Sequence, residues 1–111
     1  MTLALYTHAD MEHHQPGPGH PERSQRLGAV LDALADASDL SLLRREASLA
    51  SLEDLQRVHP RAHLDRLIAA SPLQGLHELD PDTFLSPGSV AAAQRAAGAV
   101  IDAVRGVVNG N

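Results

Sequence analysis

The run His13-His14-Gln15-Pro16-Gly17-Pro18-Gly19-His20-Pro21-Glu22-Arg23-Ser24-Gln25-Arg26-Leu27 changes character halfway along. Its first half gathers Pro16, Gly17, Pro18, Gly19 and Pro21. Proline has no amide proton and a fixed φ, so neither a helix nor a central strand tolerates that density, and residues 9–21 are predicted as a loop. From Ser24 the pattern becomes helical. Leu27, Val30, Leu31 and Leu34 lay an apolar stripe along residues 24–35 while Arg26 and Asp32 face elsewhere.

Upstream, Leu3-Ala4-Leu5-Tyr6 is a short apolar run that suits a strand over residues 2–6, buried on both faces as parallel strands are. Downstream, residues 40–47 are ambiguous and are compatible with a second short strand. Ser51 can cap a helix whose first turn holds Glu53 and Asp54. Pro60 then starts another helix, ending near Ala70, with Leu64, Leu67 and Ile68 on its inner side. Residues 71–88 hold Pro72, Gly75, Pro81, Pro87 and Gly88 around Glu78, Asp80 and Asp82, and are expected as an acidic, turn-rich surface connection. From Ser89 to Val108 the apolar periodicity runs for five turns and closes on Asn109-Gly110, a C-terminal cap signal. Helix faces outnumber the strands that could receive them, so the sheet looks incomplete.

A chain of 111 residues holds one domain at most. Nine basic against fourteen acidic residues give a net charge of −5 with no basic stripe, which argues against nucleic acid as a partner. There is no cysteine, so any metal would have to be held by histidine and carboxylate. The first ten residues lack a basic leader and carry only a four-residue apolar run, so neither a membrane span nor a leader is expected, and the cytoplasm is the expected location.

Three of the seven histidines, His13, His14 and His20, sit in the Pro/Gly loop. They could converge on zinc, or serve as hydrogen-bonded structural residues; spacing alone decides neither. His59 and His63 are four apart, but the residues between them lack the glutamate that a helical metallohydrolase pair uses as base. Asp80 and Asp82 are open to two readings, a substrate-facing carboxylate pair or caps for the following helix.

Taken together, the Gly19-His20-Pro21-Glu22-Arg23 string entering an Arg26-Leu27 helix, Leu55-Gln56-Arg57-Val58-His59, and Leu79-Asp80-Pro81-Asp82-Thr83-Phe84-Leu85-Ser86-Pro87-Gly88-Ser89 resemble the N-terminal part of histone deacetylase-like enzymes of the acetoin-utilisation and acetylpolyamine deacetylase type. The resemblance implies an α/β class: the N-terminal part of a mostly parallel-sheet arginase/deacetylase fold, dominated here by helices with one or two strands. It implies a zinc-dependent amide hydrolase whose metal is held by an Asp-x-His pair and a later aspartate, with a His-His dyad and a tyrosine beside it. This sequence has no Asp-x-His, its nearest match to the family's Pro-Gly-His-His dyad string is Pro18-Gly19-His20-Pro21, and Tyr6 lies on the first strand at the wrong end of the order for the family's tyrosine; His14 stands where the family usually has aspartate, His63 where it has tyrosine.

Carried over residue by residue, the resemblance implies that Arg23 lines an internal channel, pointing inward and paired. It implies that Asp80 or Asp82 is the rim carboxylate that binds substrate, and that the loop of His13, His14 and His20 borders the pocket mouth. The expected function is that of an N-terminal segment of a deacetylase acting on acetyl-lysine or acetylpolyamine amides, inactive alone and binding no cofactor by itself. Its partner would be the remainder of the deacetylase domain, a complementary chain or a second copy. The rival readings are a non-enzymatic module pairing through the apolar faces of residues 24–35 and 89–108, and a small metal-binding protein built on the loop histidines.

Overall fold

The computed structural model describes residues 2–110. Strand β1 spans Thr2–Thr7 and pairs in parallel with β2, Ser41–Glu46, with Leu3 opposite Leu42 and Leu5 opposite Arg44. A parallel pair needs a crossover, and helix α1, Gln25–Asp36, lies in it. Helices α2, Leu52–Gln56, and α3, Arg61–Ala70, follow. Ser51 Oγ accepts the Asp54 N–H at 3.1 Å, the cap expected there, and Pro60 occupies the N-cap of α3. The last element, α4, spans Ser89–Val108 and packs on β1. A mixed helix-and-strand architecture is therefore present.

Two segments depart from expectation. The loop over residues 9–21 begins with a 3-10 helix at Ala9–His13, nucleated where His8 Nδ1 accepts the Asp10 N–H at 3.0 Å. The connection over residues 71–88 contains an antiparallel hairpin, β3 at His77–Asp80 and β4 at Thr83–Leu85. All of β3 is exposed, so it shows no apolar alternation to betray it; an irregularity in pairing between Glu78 and Asp80 accompanies the Pro81-Asp82 turn.

The core is small. Its buried apolar residues are Ala47, Ala50, Leu64, Leu85 and Ala92. The accessible surface, 7510 Å², exceeds the roughly 5900 Å² expected for a folded monomer of this mass. The radius of gyration, 15.6 Å, likewise exceeds the roughly 13 Å of a compact chain of this length.

Helix α4 contributes to the excess. Arg95 and Asp102 turn inward: Arg95 bonds Asp10 and the Ala47 carbonyl, and Asp102 receives the Ser48 N–H and hydroxyl at 2.9 and 2.8 Å. Val100, Val104, Val107 and Val108 are all more than half exposed. An ordinary surface helix has the opposite polarity. The expected incompleteness of the sheet is thus matched by an uncovered apolar ridge beside it.

The candidate pocket mouth

Two loops meet at the N-terminal end of α4. The first is the Pro/Gly loop, whose turn is possible because Gly17 and Gly19 take φ values of +122° and +78°, a region that side chains disfavour. The second is the Ser86-Pro87-Gly88 link between β4 and α4. They touch so closely at Gly88 that a Cβ there would collide with His13.

Two buried serines join them. Ser86 Oγ accepts the Gln15 N–H at 3.1 Å and donates to the His13 carbonyl at 2.9 Å. Ser89 Oγ accepts the Ser86 N–H at 2.7 Å and lies 2.9 Å from Ser86 Oγ and 2.6 Å from His14 Nδ1. The other nitrogen of His14 is 3.0 Å from Glu22 Oε2. A buried hydroxyl costs stability unless it is paired, and both are paired several times over.

His20 makes a third tie. Its Nδ1 accepts the Glu22 N–H at 3.0 Å, its Nε2 donates to the Asp82 carbonyl at 2.9 Å, and its ring meets Phe84 edge-on at 6.1 Å. His13 is more exposed, with Nδ1 4.0 Å from Asp10. His14 and His20 therefore act as hydrogen-bonded struts, and among the described residues no group of three or more His, Asp or Glu side chains converges as a metal site. His59 and His63 also stay apart from it; their rings lie 5.3 Å apart, tilted by 39°, and His63 bonds Arg66.

Asp80 and Asp82 are both exposed, and neither caps α4. Asp80 Oδ1 accepts the Asp82 N–H at 3.0 Å within the hairpin turn, while the Asp82 carboxylate has no hydrogen-bond or ion-pair partner among the described residues. Arg23 requires a correction. It is exposed and has no partner among the described residues, because residues 2–110 place nothing over its guanidinium. It does border an open cavity of about 560 Å³ with Gln15, Gln25, Leu76 and Ser86.

Below the mouth, Arg95 Nε donates to Asp10 Oδ2 at 3.0 Å and Arg95 Nη1 to the Ala47 carbonyl at 2.9 Å. The Arg95 hydrogen bond holds the Asp10 carboxyl below its ordinary range, and the Ser48 donors do the same for Asp102. Sequence reasoning did not single out Ser86, Ser89 or Arg95, which have partners far away along the chain, nor Glu22, whose partner His14 is eight residues away; the Ser-Pro-Gly-Ser string ahead of the helix was the one available signal.

The histone deacetylase domain model matches residues 20–111. The chain belongs to the histone deacetylase family. It is 40% identical over 90 residues to a histone deacetylase-like amidohydrolase of Pseudomonas aeruginosa, a match covering 81% of this chain and 23% of the relative. It is 31% identical to a probable deacetylase of Archaeoglobus fulgidus, across 98% of this chain and 31% of that one. The crystal structure of the HDA15 HD domain superposes with a TM-score of 0.86 at 29% identity, covering 97% of this chain and 33% of that one. The histone deacetylase family chain described here thus spans a third or less of the length of these three.

Proposed function

We propose that this chain is the N-terminal part of a zinc-dependent deacetylase domain that hydrolyses acetyl-lysine or acetylpolyamine amides, and that it supplies wall and rim while another polypeptide segment supplies the reacting groups. The observation that carries the proposal is the reversed polarity of α4. Its Arg95 and Asp102 side chains bond the body of the chain, and Val100, Val104, Val107 and Val108 face outward as a ridge that further protein would bury. The two-stranded parallel sheet beside it supports the same reading, since parallel sheets are covered on both faces.

In this reading the Asp82 carboxylate, unpaired on its turn, accepts a hydrogen bond from the amide or amine of the substrate, with Asp80 holding the turn. His13, His14 and His20 shape the mouth. Arg23 contributes through the cavity it borders and gains its pairing from the missing cover. The residues described do not fit a zinc ion, so no catalytic step is assigned to them. A cysteine-free sequence supports a reducing, cytoplasmic setting.

The test is co-expression with the portion of the Pseudomonas aeruginosa relative that lies beyond the matched region. A stable pair that releases acetate from acetyl-lysine or acetylpolyamine in a chelator-sensitive manner is expected. A chain that instead forms a discrete homodimer indifferent to that portion would replace the proposal with the interaction-module reading.

A further inference from the structure

The contacts between the two loops impose a proton count, and the count singles out His14. A serine hydroxyl offers one proton and two lone pairs. Ser86 gives its proton to the His13 carbonyl, so the Ser86–Ser89 link at 2.9 Å must use the proton of Ser89. The 2.6 Å contact between Ser89 and His14 then needs a proton on Nδ1. The contact with Glu22 at 3.0 Å needs another on Nε2. With both ring nitrogens protonated, every proton and lone pair of Ser86 and Ser89 is used: each oxygen accepts two hydrogen bonds and donates one. A neutral ring leaves one link without a donor.

We infer that His14 is a positioning residue of the pocket mouth, a doubly protonated strut between Glu22 and Ser89 that seats the loop of residues 13–22 on α4 and β4, and that its deprotonation loosens that seat. The inference deepens the deacetylase reading and rests on it for the identity of the mouth. Charge around the ring is mixed. Glu22 and the N-terminal end of α4 at Ser89 face the ring. His13 is its chain neighbour, with Asp10 and Arg95 beyond on the 3-10 helix and α4. The hairpin contributes the uncharged Thr83, Phe84 and Leu85 to the cavity that His14 lines. His20 contrasts with His14: one of its nitrogens accepts and the other donates, which describes a neutral ring.

The test is an NMR pH titration of the 111-residue chain, following the ring nitrogens of His14 and the amides of Gln15 and Ser86, which donate into the network. Both amides should shift along the titration curve of His14. In His14→Asn, whose side-chain amide can donate to Ser89 and does not titrate, they should stay flat near their low-pH positions. In His14→Ala they should sit at the loosened positions at every pH, with far-UV circular dichroism reporting whether the fold persists. Amides that ignore the titration of His14 in the native chain would overturn the inference, and that arm depends on no variant folding. So would amides left in place by His14→Ala. None of these readouts involves acetate release, so failure here leaves the deacetylase reading standing, and failure of complementation leaves this result intact.

Discussion

Arg95 Nε lies 3.0 Å from Asp10 Oδ2, pinning the middle of α4 to the 3-10 helix that follows β1. The carboxyl of Asp10 is thereby held below its ordinary range, as is that of Asp102 by Ser48. A carboxyl depressed in the folded state stabilises it above the unfolded pKa of about 4, and that contribution fades as the pH falls through the lower folded value. Urea midpoints should therefore fall as the pH drops below about 4. In Arg95→Met the acid limb should be shallower and the neutral-pH midpoint lower. An unchanged limb in that variant would remove Arg95 as the cause.

Glycine in a helix normally costs stability, and replacing it with alanine gains about 1 kcal/mol. Gly28 in α1 follows that rule, because a Cβ there meets nothing within 4 Å. Gly98 should reverse it. A Cβ at Gly98 would strike the Ser48 carbonyl, where residues 47–50 cross α4 and the Ala50 N–H bonds the Gln94 carbonyl at 3.0 Å. Gly28→Ala should raise the denaturation midpoint, and Gly98→Ala should lose about 1–3 kcal/mol through overpacking. Equal effects in the two variants would contradict the close crossing.

The parts of this fold that local chemistry dictates were legible before the structure. Leu27, Val30, Leu31 and Leu34 marked α1 to within a residue at each end, and Ser51 and Pro60 marked the starts of α2 and α3. The hairpin at His77–Leu85 was not legible, because exposed strands such as His77–Asp80 carry no alternation, and Pro81 beside Asp82 reads equally as loop. The site divides in the same way. Motif resemblance named His13, His14, His20, Asp80 and Asp82 as candidates. Ser86 and Ser89 act on partners more than seventy residues away, so only the folded chain shows them as the joint between two loops. Arg23 shows the opposite error: a role that depends on surrounding chain was assigned an orientation that residues 2–110 do not impose.

The ridge of α4 makes a prediction in which stability and association separate. Val100 and Val104 are 65% and 57% exposed, so replacing both with glutamine should change the midpoint of the isolated chain by no more than about 0.5 kcal/mol per site. Burying a valine against a partner is worth about 1.5–3 kcal/mol, so the same pair of substitutions should weaken capture of the complementary deacetylase portion at least about tenfold. Light scattering and pull-down on one preparation read both effects. Capture at native strength by the double variant would place the interface elsewhere.

The chain alone should show no zinc-dependent turnover, and its histidines explain why added zinc would not help. A catalytic zinc takes three protein ligands and an open position. Of the loop histidines, His20 has one nitrogen accepting the Glu22 N–H and the other on the Asp82 carbonyl, and His14 has its two nitrogens on Ser89 and Glu22. Recruiting either to a metal breaks ties that join the two loops, and moving His14 also takes a partner from the buried Ser89 hydroxyl, at a cost of about 1–3 kcal/mol. His13 is the freer ring, and one histidine makes a weak site. Calorimetric titration of the 111-residue chain with zinc should therefore show no tight stoichiometric binding, and acetate release from acetyl-lysine and acetylpolyamine should match a chelator-treated control. Tight one-to-one uptake that shifts His13, His14 and His20 together would revive the metal-binding reading, and chelator-sensitive turnover would demand reacting groups within this chain.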